Sequence, residues 1–494
     1  MIDSPSKLHF LASEAGCPMA KKIPIGSRTP MGVLEAGWPK GPRFLLESTR
    51  RGGGLGRYSF TGGKPYRRFE SRAERVCLEP NRGDPLLLAA VPSLRQLLTR
   101  ESVPTVPGLP PFQGGAVGYF GYEWAHQWEA FPARQKDDLG LPDVELLFID
   151  LLAAFDHAEG VLWLIFNPGG ERFGSQGRQA LWDEGEERIA SLENRLGAPL
   201  PDPRCLPLLQ GEGLLPQMTR DAYIEKVSRC QEYICSGDIF QANLSHRFSM
   251  PLGSTCPLAL YQRLSEINPS PFAAYLETGN VTLLGASPER LIQRSGPLVS
   301  TRPIAGTRRR GLNSEDDRRL ARELLGDPKE RAEHIMLVDL ERNDLGKICR
   351  FGSVRVDEWM DIERYSHVLH IVSNITGELR PDRDAVDLLQ ATFPGGTVTG
   401  VPKIRCMEII DELEPVTRGP YTGALGYLST GGEMDLSIVI RTLIATREVL
   451  YLQVGAGIVA DSVPSREYEE TISKAAAAMA ALSRNRAWSS SGRI

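Results

Sequence analysis

Short apolar runs separated by glycine and proline occupy the first part of the chain. Runs of this length between turn residues are typical of β-strands. The clearest are "RFLLEST" from residue 43, "GRYSFTGG" from 56, "GGAVGYFGYEW" from 114 and "VLWLIFN" from 161. We therefore predict a strand-rich N-terminal region.

The most apolar stretch of the chain is "LLFIDLLAAF" at 146–155. A membrane-spanning helix needs ~20 apolar residues, and this stretch is shorter and contains Asp150. We interpret it as one buried strand.

A helical period replaces the strand pattern from Thr219 onward. Thr219 is a suitable N-cap, the periodic segment runs to about Ser236, and Gly237 is a helix-ending residue. "IFQANLSHRF" then alternates between apolar and polar residues like a strand. The remaining predicted helices are 179–196, 315–325, 328–340, 384–392, 401–413 and 464–483. The remaining predicted strands are 271–278, 281–286, 291–294, 366–379, 421–429, 435–445 and 450–455.

These elements describe an α+β protein with long antiparallel strands and helices outside them. The length of 494 residues allows two or three domains or one large body. The segment 197–217 is rich in proline and glycine, so it is the best candidate for a linker or a long surface crossover. We divide the chain into an N-terminal region (1–196), this linker, a C-terminal region (218–485) and a tail (486–494).

Composition excludes several classes of function. The formal net charge of -5 does not favour a nucleic-acid partner, and we interpret the basic cluster "TRRRG" at 307–311 as an exposed turn. The eight cysteines lack the C-x-x-C spacing of a zinc or redox site, which indicates reduced thiols in a cytoplasmic protein. The N-terminus lacks the charged start and apolar run of a secretory signal.

Two acidic pairs with the same spacing lie on two predicted helices. Glu330 and Glu333 share one helix face, as do Glu467 and Glu470, because positions i and i+3 point the same way. Four carboxylates favour a hard cation with oxygen ligands, Mg²⁺ before Zn²⁺. Each pair also fits a solvated helix face, since Lys or Arg residues flank both. The spacing alone does not bring the two helices together.

Two glycine-rich segments could hold an anion or form plain turns. "FPGGTVTGVPKIR" at 393–405 precedes a helix but lacks the G-K-[ST] ending of a nucleotide-binding loop. "QVGAGIVADS" at 453–462 lets the backbone approach a ligand closely. His370, on an alternating strand, is by default a core histidine, and Glu289 is by default a surface carboxylate. As an acid–base pair the two would suit elimination or proton transfer.

Together these segments resemble the chorismate-utilising enzymes, the family of anthranilate synthase component I and aminodeoxychorismate synthase component I. The matching segments are, in order, "GDIFQANLSHRF", "NPSPFAAYL", "GASPERL", "TRPIAGTRRRG", "KERAEHIMLVDLERNDLG", "ERYSHVLHIVSNITGEL", "FPGGTVTGVPKIRCMEIIDELEP", "GPYTGALGY", "DLSIVIRT", "QVGAGIVADS" and "EYEET". They cover residues 220–485 almost without a break, and "FLLEST" and "GRYSFTGG" add the N-terminal region. The resemblance implies a sandwich of large antiparallel sheets with helices packed outside, the two regions forming one body.

The resemblance also implies roles for individual residues. The two acidic pairs would converge on one Mg²⁺ that grips the ring carboxylate of chorismate, with Glu333 and Glu470 as direct ligands and Glu330 and Glu467 in support. Glu289 would be the acid that helps the C4 hydroxyl to leave. The other residues of the implied site are His370 and Thr307 beside Glu289, Tyr421 and Arg441 on the enolpyruvyl carboxylate, and Gly455, Ala456, Gly457, Thr397 and Lys403 around the anion.

Gln241 bears on the nucleophile. Relatives that add water at C2, the isochorismate and salicylate synthases, place a lysine base at this position. A glutamine cannot take a proton from water, whereas the lone pair of ammonia is already nucleophilic. Gln241 therefore favours amination over isochorismate synthesis, and the presence of the implied metal and acid positions opposes a non-catalytic homologue.

The finer motifs favour one of two amination products. "QANLS", "PFAAYL", "FPGGTVTGVPK" and "PYTGALGY" resemble the aminodeoxychorismate (p-aminobenzoate, folate) branch more than the anthranilate (tryptophan) branch. Ala305 stands where some p-aminobenzoate enzymes carry a nucleophilic lysine, so direct attack by ammonia is the expected route. A regulatory pocket like that of the tryptophan-sensing relatives would involve Ser48, Pro271 and Phe272.

The source of ammonia is expected to be a second protein. A glutamine amidotransferase needs a cysteine in a G-x-C-x-G elbow, and none of the eight cysteines has that context. The resemblance implies a separate glutamine amidotransferase subunit.

Overall fold

The computed structural model describes residues 3–49, 56–73, 75–79, 86–87, 89–130, 135–197, 213–311, 313–364 and 368–483. The helices are α1 Lys7–Ala12, α2 Pro30–Gly37, α3 Ala90–Arg100, α4 Gly170–Ser175, α5 Arg178–Gly197, α6 Arg220–Cys235, α7 Pro257–Ile267, α8 Ser314–Gly326, α9 Pro328–Gly346, α10 Ala385–Thr392, α11 Lys403–Leu413 and α12 Pro464–Leu482. Strands before residue 218 are β1 Met19–Pro24, β2 Arg43–Glu47, β3 Tyr58–Gly63, β4 Arg67–Arg72, β5 Arg75–Glu79, β6 Leu86–Leu87, β7 Gly115–Phe120, β8 Val144–Ile149, β9 Leu151–Asp156, β10 Val161–Phe166 and β11 Leu215–Pro216. Later strands are β12 Gln241–Pro251, β13 Phe272–Glu277, β14 Thr282–Ser287, β15 Arg290–Ser295, β16 Leu298–Arg302, β17 Ile304–Arg309, β18 Arg355–Arg364, β19 Val368–Glu378, β20 Gly400–Val401, β21 Ala424–Ser429, β22 Met434–Ile438, β23 Thr442–Ala445 and β24 Val449–Ile458.

The strands form two antiparallel sheets, each drawing on both regions of the chain. Sheet one has the order β1-β10-β9-β3-β2-β13-β14-β23-β24-β12-β11, with β20 also paired to β12. Sheet two has the order β17-β19-β16-β15-β22-β21-β7-β8-β4-β5-β6, with β18 also paired to β19. The β2–β13 and β7–β21 pairings join the N-terminal and C-terminal regions. Neither sheet is complete without both regions.

The two sheets face each other across an aromatic and aliphatic core. Phe44 and Phe60 of sheet one pack in one cluster with Tyr119 and Tyr427 of sheet two. The Phe60 and Tyr427 rings meet edge to face, with centroids 5.5 Å apart. Such packing places the apolar faces of both sheets in the interior. The predicted α+β sandwich is confirmed.

Helices cover the outer faces of the sandwich. On sheet one, α12 presents small residues such as Ala475 and Ala478 to a cluster that includes Tyr261 of α7 and Leu452 of β24. The small side chains allow a close approach of helix and sheet. On sheet two, α3, α9, α10 and α11 share one apolar cluster with the strands.

The helix predictions were confirmed where caps mark the ends. The Thr219 hydroxyl accepts from the N–H of Ala222 at 3.2 Å, and Gly237 after α6 has a φ of +84°. The predicted segment 328–340 is longer in the structure, since α9 continues to Gly346. The other predicted helices correspond to α5, α8, α10, α11 and α12, with ends shifted by two residues or fewer.

Three predictions were wrong. The run 146–155 is two strands, β8 of sheet two and β9 of sheet one, with Asp150 between them. The segment 435–445 likewise divides into β22 and β23, which belong to different sheets. The basic cluster at 307–311 is not an exposed turn, because residues 304–309 form β17 and Arg308 pairs with Glu330 at 3.1 Å.

Several predictions fall outside or only partly within the described residues. Of the linker 197–217, residues 198–212 lie outside them, and Leu215–Pro216 pairs with β12. The tail and the first two residues of the predicted strand 366–379 also lie outside. Within the described ranges, no helix combines the length and apolar character needed to cross a membrane, and the cysteines form no disulfide.

Candidate active site

Two chain crossings between the sheets place polar side chains next to each other. Glu289 lies where β14 of sheet one passes into β15 of sheet two, and Arg441 lies where β22 of sheet two passes into β23 of sheet one. The Ile438 N–H donates to the Glu289 carbonyl at 3.0 Å, and the Ser287 hydroxyl donates to the Ile438 carbonyl at 2.6 Å. Arg441 has a φ of +51°, a strained value for a side-chain-bearing residue. The crossings therefore hold Glu289 and Arg441 in adjacent, fixed segments.

Glu289 is buried, so its interpretation as a surface carboxylate was wrong. Burial raises the pKa of Glu289 to about 8. The nearby Thr397 hydroxyl lowers this pKa without reaching hydrogen-bond geometry, Glu341 raises it, and Arg441 lowers it. At neutral pH the group is mostly a carboxylic acid and can donate a proton.

His370 lies on β19 opposite a bulge in β17. Its Nδ1 donates to the carbonyl of Gly306 at 3.2 Å. Gly306 forms the bulge and has a φ of +67°, a backbone conformation that glycine adopts readily. Burial, together with the charges of Arg441 and Lys474, lowers the pKa of His370 to about 3. The imidazole is therefore neutral in the working range of the protein. The backbone of Thr307 pairs with His370.

Two glycines on β24 leave space for side chains of the candidate site to lie directly against the backbone of this strand. A Cβ at Gly455 would lie 2.5 Å from Asn243 Oδ1 and 2.9 Å from the Tyr421 hydroxyl oxygen. At Gly457 it would lie 2.6 Å from Gln241 Nε2. A Cβ at Gly455 would also lie 2.8 Å from the Leu244 carbonyl oxygen, so a side chain there would force the backbone to move, whereas one at Gly457 would displace the Gln241 side chain. Ala456, between them, pairs with Leu244 of β12 and is buried.

We call Gly455, Gly457 and the Gln241 and Asn243 side chains that lie against them the glycine wall. Three buried polar atoms of the candidate site, two of them in this wall, have no hydrogen-bond partner among the described residues. They are Gln241 Oε1, Asn243 Oδ1 and Thr397 Oγ1. Buried polar atoms are nearly always paired in folded proteins, so a group of unpaired ones indicates a ligand site. The Gln241 Nε2, in contrast, donates to Glu333 Oε1 at 2.9 Å.

The two acidic pairs approach this wall from α9 and α12. Glu333 contacts Gln241, and its Oε1 would lie 3.9 Å from a Cβ at Gly457. Lys474 of α12 pairs with Glu470 at 2.8 Å and donates to the Gly455 carbonyl at 2.9 Å. The acidic ends of both helices thus lie beside the same short stretch of β24.

The carboxylates suit a hard cation in chemistry. Burial raises the pKa values of Glu330 and Glu467, and the charges of Glu333 and Glu470 add to this effect. A divalent cation would relieve that repulsion with the oxygen donors that Mg²⁺ prefers. Within the described ranges, however, no group of three or more Asp, Glu, His or Cys side chains is arranged to hold a metal ion.

Lys403 lies apart from the glycine wall. Its ammonium donates to Asp344 at 2.5 Å and to the carbonyl of Thr392 at 3.2 Å, beside a cavity between α9, α10 and α11. It thus connects helices on the outer side of α9.

The residues of the predicted regulatory pocket lie on neighbouring segments. Ser48 follows β2, and Pro271 and Phe272 lead into β13, which pairs with β2. The Thr49 N–H donates to the Ser270 carbonyl at 3.0 Å. The segments that carry these residues are therefore neighbours, and the regulatory pocket itself stays a prediction.

Sequence reasoning missed Lys474, Asn243 and Glu341. Lys474 follows Glu470 by one helical turn, and the i, i+4 spacing was a readable signal. Asn243 lies two positions after Gln241 on β12, so the strand period places both on one face. Glu341 is one of several charged residues on α9, and nothing in the pattern marks it as buried.

The chain is similar to one protein family and to several known proteins over most of its length. The family model described as "chorismate binding enzyme" matches residues 44–480. Aminodeoxychorismate synthase component 1 of Bacillus subtilis is 43% identical over 472 residues, which are 94% of this chain and 97% of that protein. Anthranilate synthase component 1 of Thermus thermophilus is 44% identical over 444 residues, 89% of this chain and 92% of that protein.

Solved structures show the same architecture. Anthranilate synthase component I from Streptococcus pneumoniae superposes with a TM-score of 0.76 at 34% identity, covering 86% of this chain and 92% of that one. The menaquinone-specific isochorismate synthase of Escherichia coli shares the fold with a TM-score of 0.70 at 20% identity, covering 96% and 98%.

Proposed function

The chain belongs to the chorismate-binding enzyme family, and we propose that it is an aminodeoxychorismate synthase component that aminates chorismate to 4-amino-4-deoxychorismate. The observation that carries this proposal is a buried acid, Glu289, whose pKa burial raises to about 8, in a site with three unpaired buried polar atoms, one of which is Gln241 Oε1. The acid suits loss of a hydroxyl, and the wall has no base at Gln241 to activate water.

In this proposal the chain's own residues bind the substrate and move one proton. Arg441 and Tyr421 hold the enolpyruvyl carboxylate. Glu289 gives its proton to the C4 hydroxyl, the C–O bond breaks, and water leaves. Ammonia attacks C4 with its lone pair, and the resulting ammonium group returns one proton to the Glu289 carboxylate. The Gln241 Oε1 has an open acceptor position that an ammonia N–H could fill.

We propose that Mg²⁺ binds between α9 and α12. Glu333 and Glu470 would hold it directly, with Glu330 and Glu467 in support. The ion would supply positive charge for the ring carboxylate of chorismate.

We further propose that a separate glutamine amidotransferase supplies the ammonia. Two of the relatives are named component 1, a name that implies a second component for those proteins. The cysteine contexts of this chain provide no glutaminase site of its own.

Anthranilate is the second candidate product. The identities to the aminodeoxychorismate and anthranilate relatives are 43% and 44%, so overall similarity does not separate the branches. The preference for aminodeoxychorismate rests on the motifs "QANLS", "PFAAYL" and "PYTGALGY".

The deciding experiment mixes the purified protein with chorismate, Mg²⁺ and ammonium at alkaline pH and follows fluorescence. Direct formation of anthranilate would establish the second candidate. If chorismate is consumed without that signal, aminodeoxychorismate lyase is added, and p-aminobenzoate formed only then would support the proposal. Turnover in the absence of both ammonia and glutamine would instead favour isochorismate synthesis and contradict it.

A further inference from the structure

Glu341 is a buried carboxylate that the proposed reaction does not use. It lies on α9, two helical turns after Glu333, and is 3% exposed. The Thr301 hydroxyl donates to its Oε2 at 3.1 Å. Its Oε1 would lie 3.5 Å from a Cβ at Gly396. A carboxylate this deep is costly unless neighbouring groups compensate it.

Glu341 and Glu289 are flanked by the same two segments. The Thr301 hydroxyl, near the end of β16, donates to Glu341, and the N–H of Ile304, three residues later, is close enough to the Glu289 carboxyl to lower its pKa. Gly396 contacts Glu341, and the next residue, Thr397, lies beside Glu289. The two carboxyl groups therefore belong to one buried cluster on the inner side of α9.

Charges on the outer side of this cluster are fixed by ion pairs. Asp344, one turn after Glu341, pairs with Lys403 at 2.5 Å and with Lys347 at 2.9 Å. This group faces a cavity of about 730 Å³ that α9, α10 and α11 line. Asp344 and its lysines thus separate Glu341 from the cavity.

The charges around Glu341 and Glu289 raise or lower the pKa values of these two carboxyl groups. Burial and the Asp344 charge raise the pKa of Glu341 to about 7, while Lys403 and Thr301 lower it. Glu341 in turn raises the pKa of Glu289, opposed by Arg441. A negative charge on either of the two carboxyl groups therefore disfavours a second charge on the other.

We propose that Glu341 is a positioning residue whose carboxylate keeps the proton on Glu289 until Glu289 delivers it to the departing hydroxyl. This inference rests on the proposed function for its chemical meaning. It requires Glu341 to lie close enough to Glu289 for its charge to raise the pKa of Glu289. It also requires Glu341 to be ionised while Glu289 is still protonated.

The test is an infrared difference titration, which reports protonated carboxyl groups directly. The band that is lost in Glu289→Gln identifies Glu289. In Glu341→Gln the midpoint of this band should move to lower pH by on the order of one pH unit, the effect of removing one nearby charge in a protein interior. An unchanged midpoint would overturn the proposal.

A matched control is available in Glu145→Gln. Glu145 is also buried and accepts from a threonine hydroxyl, Thr278, at 2.8 Å, and burial raises its pKa to about 6. The Glu289 midpoint should stay in place in this variant. An equal shift there would show a general effect of losing a buried charge and would also overturn the proposal.

A second variant covers the case in which Glu341→Gln does not fold. Thr301→Val removes the hydroxyl that favours the charged form of Glu341, so the Glu289 midpoint should again move to lower pH, by less. No shift would count against the proposal.

The alkaline limb of kcat/KM for chorismate should follow the infrared midpoint in both Glu341→Gln and Thr301→Val. Because the infrared midpoint needs no turnover, a parent protein that fails to consume chorismate would refute the proposed function alone, and the titration would still decide the role of Glu341.

Discussion

At two places where the chain passes from one sheet to the other, an acidic residue lies in the interior. The surroundings of these two acidic residues are opposite in character. Asp150, between β8 and β9, is held by Arg188 through two contacts of 2.6 and 2.7 Å and by Arg172 at 3.2 Å. Glu289, between β14 and β15, has no ion pair in the described part of the chain. The two arginines satisfy the Asp150 carboxylate and hold it in place, whereas burial without an ion pair favours the protonated form of Glu289. The same structural device therefore serves stability at one crossing and chemistry at the other.

The largest expected effect comes from removing the acid at the second crossing. Glu289→Gln keeps the shape of the side chain but cannot give a proton, so turnover of chorismate should fall by about 10²- to 10⁴-fold. Chorismate consumption and equilibrium binding of chorismate are measured on the same sample. Retained turnover would remove Glu289 from the acid role.

The reciprocal change tests the first crossing. Asp150→Asn leaves two arginines without their shared carboxylate, and since both reach solvent we expect a loss of about 2 kcal/mol of unfolding free energy. Denaturant unfolding measures this loss. Turnover per folded molecule should equal that of the parent. A loss of turnover without a loss of stability would show that Asp150 takes part in the reaction and would contradict this interpretation.

Gly455 of β24 should tolerate no side chain. Gly455→Ala places a methyl group against Asn243 Oδ1 and the Tyr421 hydroxyl, so we expect kcat/KM for chorismate to fall by about tenfold or more. Gly174→Ala is the matched control, because a Cβ there meets nothing within 4 Å. Equal activity of both variants would show that the wall does not touch substrate.

The smallest effect is a pH dependence. Glu289 acts in its protonated form, which is present below its pKa of about 8 and is lost as the pH rises through that value. The kcat/KM for chorismate should therefore begin to decrease near pH 8. At higher pH it should decrease about tenfold for each pH unit. Free ammonia must be held constant across the titration, because its concentration otherwise rises with pH. A limb that persists in Glu289→Gln would belong to another group.

Elements with a clear period and clear caps could be predicted from the sequence. Thr219 and Gly237 bound α6 because the capping hydroxyl and the positive φ are properties of single residues. The i, i+3 spacing placed each acidic pair on one face, but the meeting of α9 and α12 beside Gly455–Gly457 depends on tertiary packing. The resemblance, rather than the spacing, supplied that expectation.

The crossings could not be predicted because burial is continuous through them. "LLFIDLLAAF" is buried on both sides of Asp150, so the change from one sheet to the other leaves no polar interruption beyond one residue. In the segment 435–445, strands β22 and β23 are separated at Arg441, which has a positive φ. Arginine has no preference for a positive φ, so the sequence does not mark this change of sheet. The burial of Glu341 could not be predicted for a different reason, since charged neighbours on α9 make it look like part of an exposed helix face.

The interleaving of the two regions has a consequence for synthesis on the ribosome. Arg43 of β2 contacts Glu277 of β13, 234 positions later in the chain. While the C-terminal region is still being made, β2 and β7 are edges without their partners, and exposed edges attract other strands. Pairings this distant also form slowly. The nascent N-terminal region is therefore the stage at which this protein would depend most on chaperones, and its separate expression should yield aggregates rather than a folded fragment.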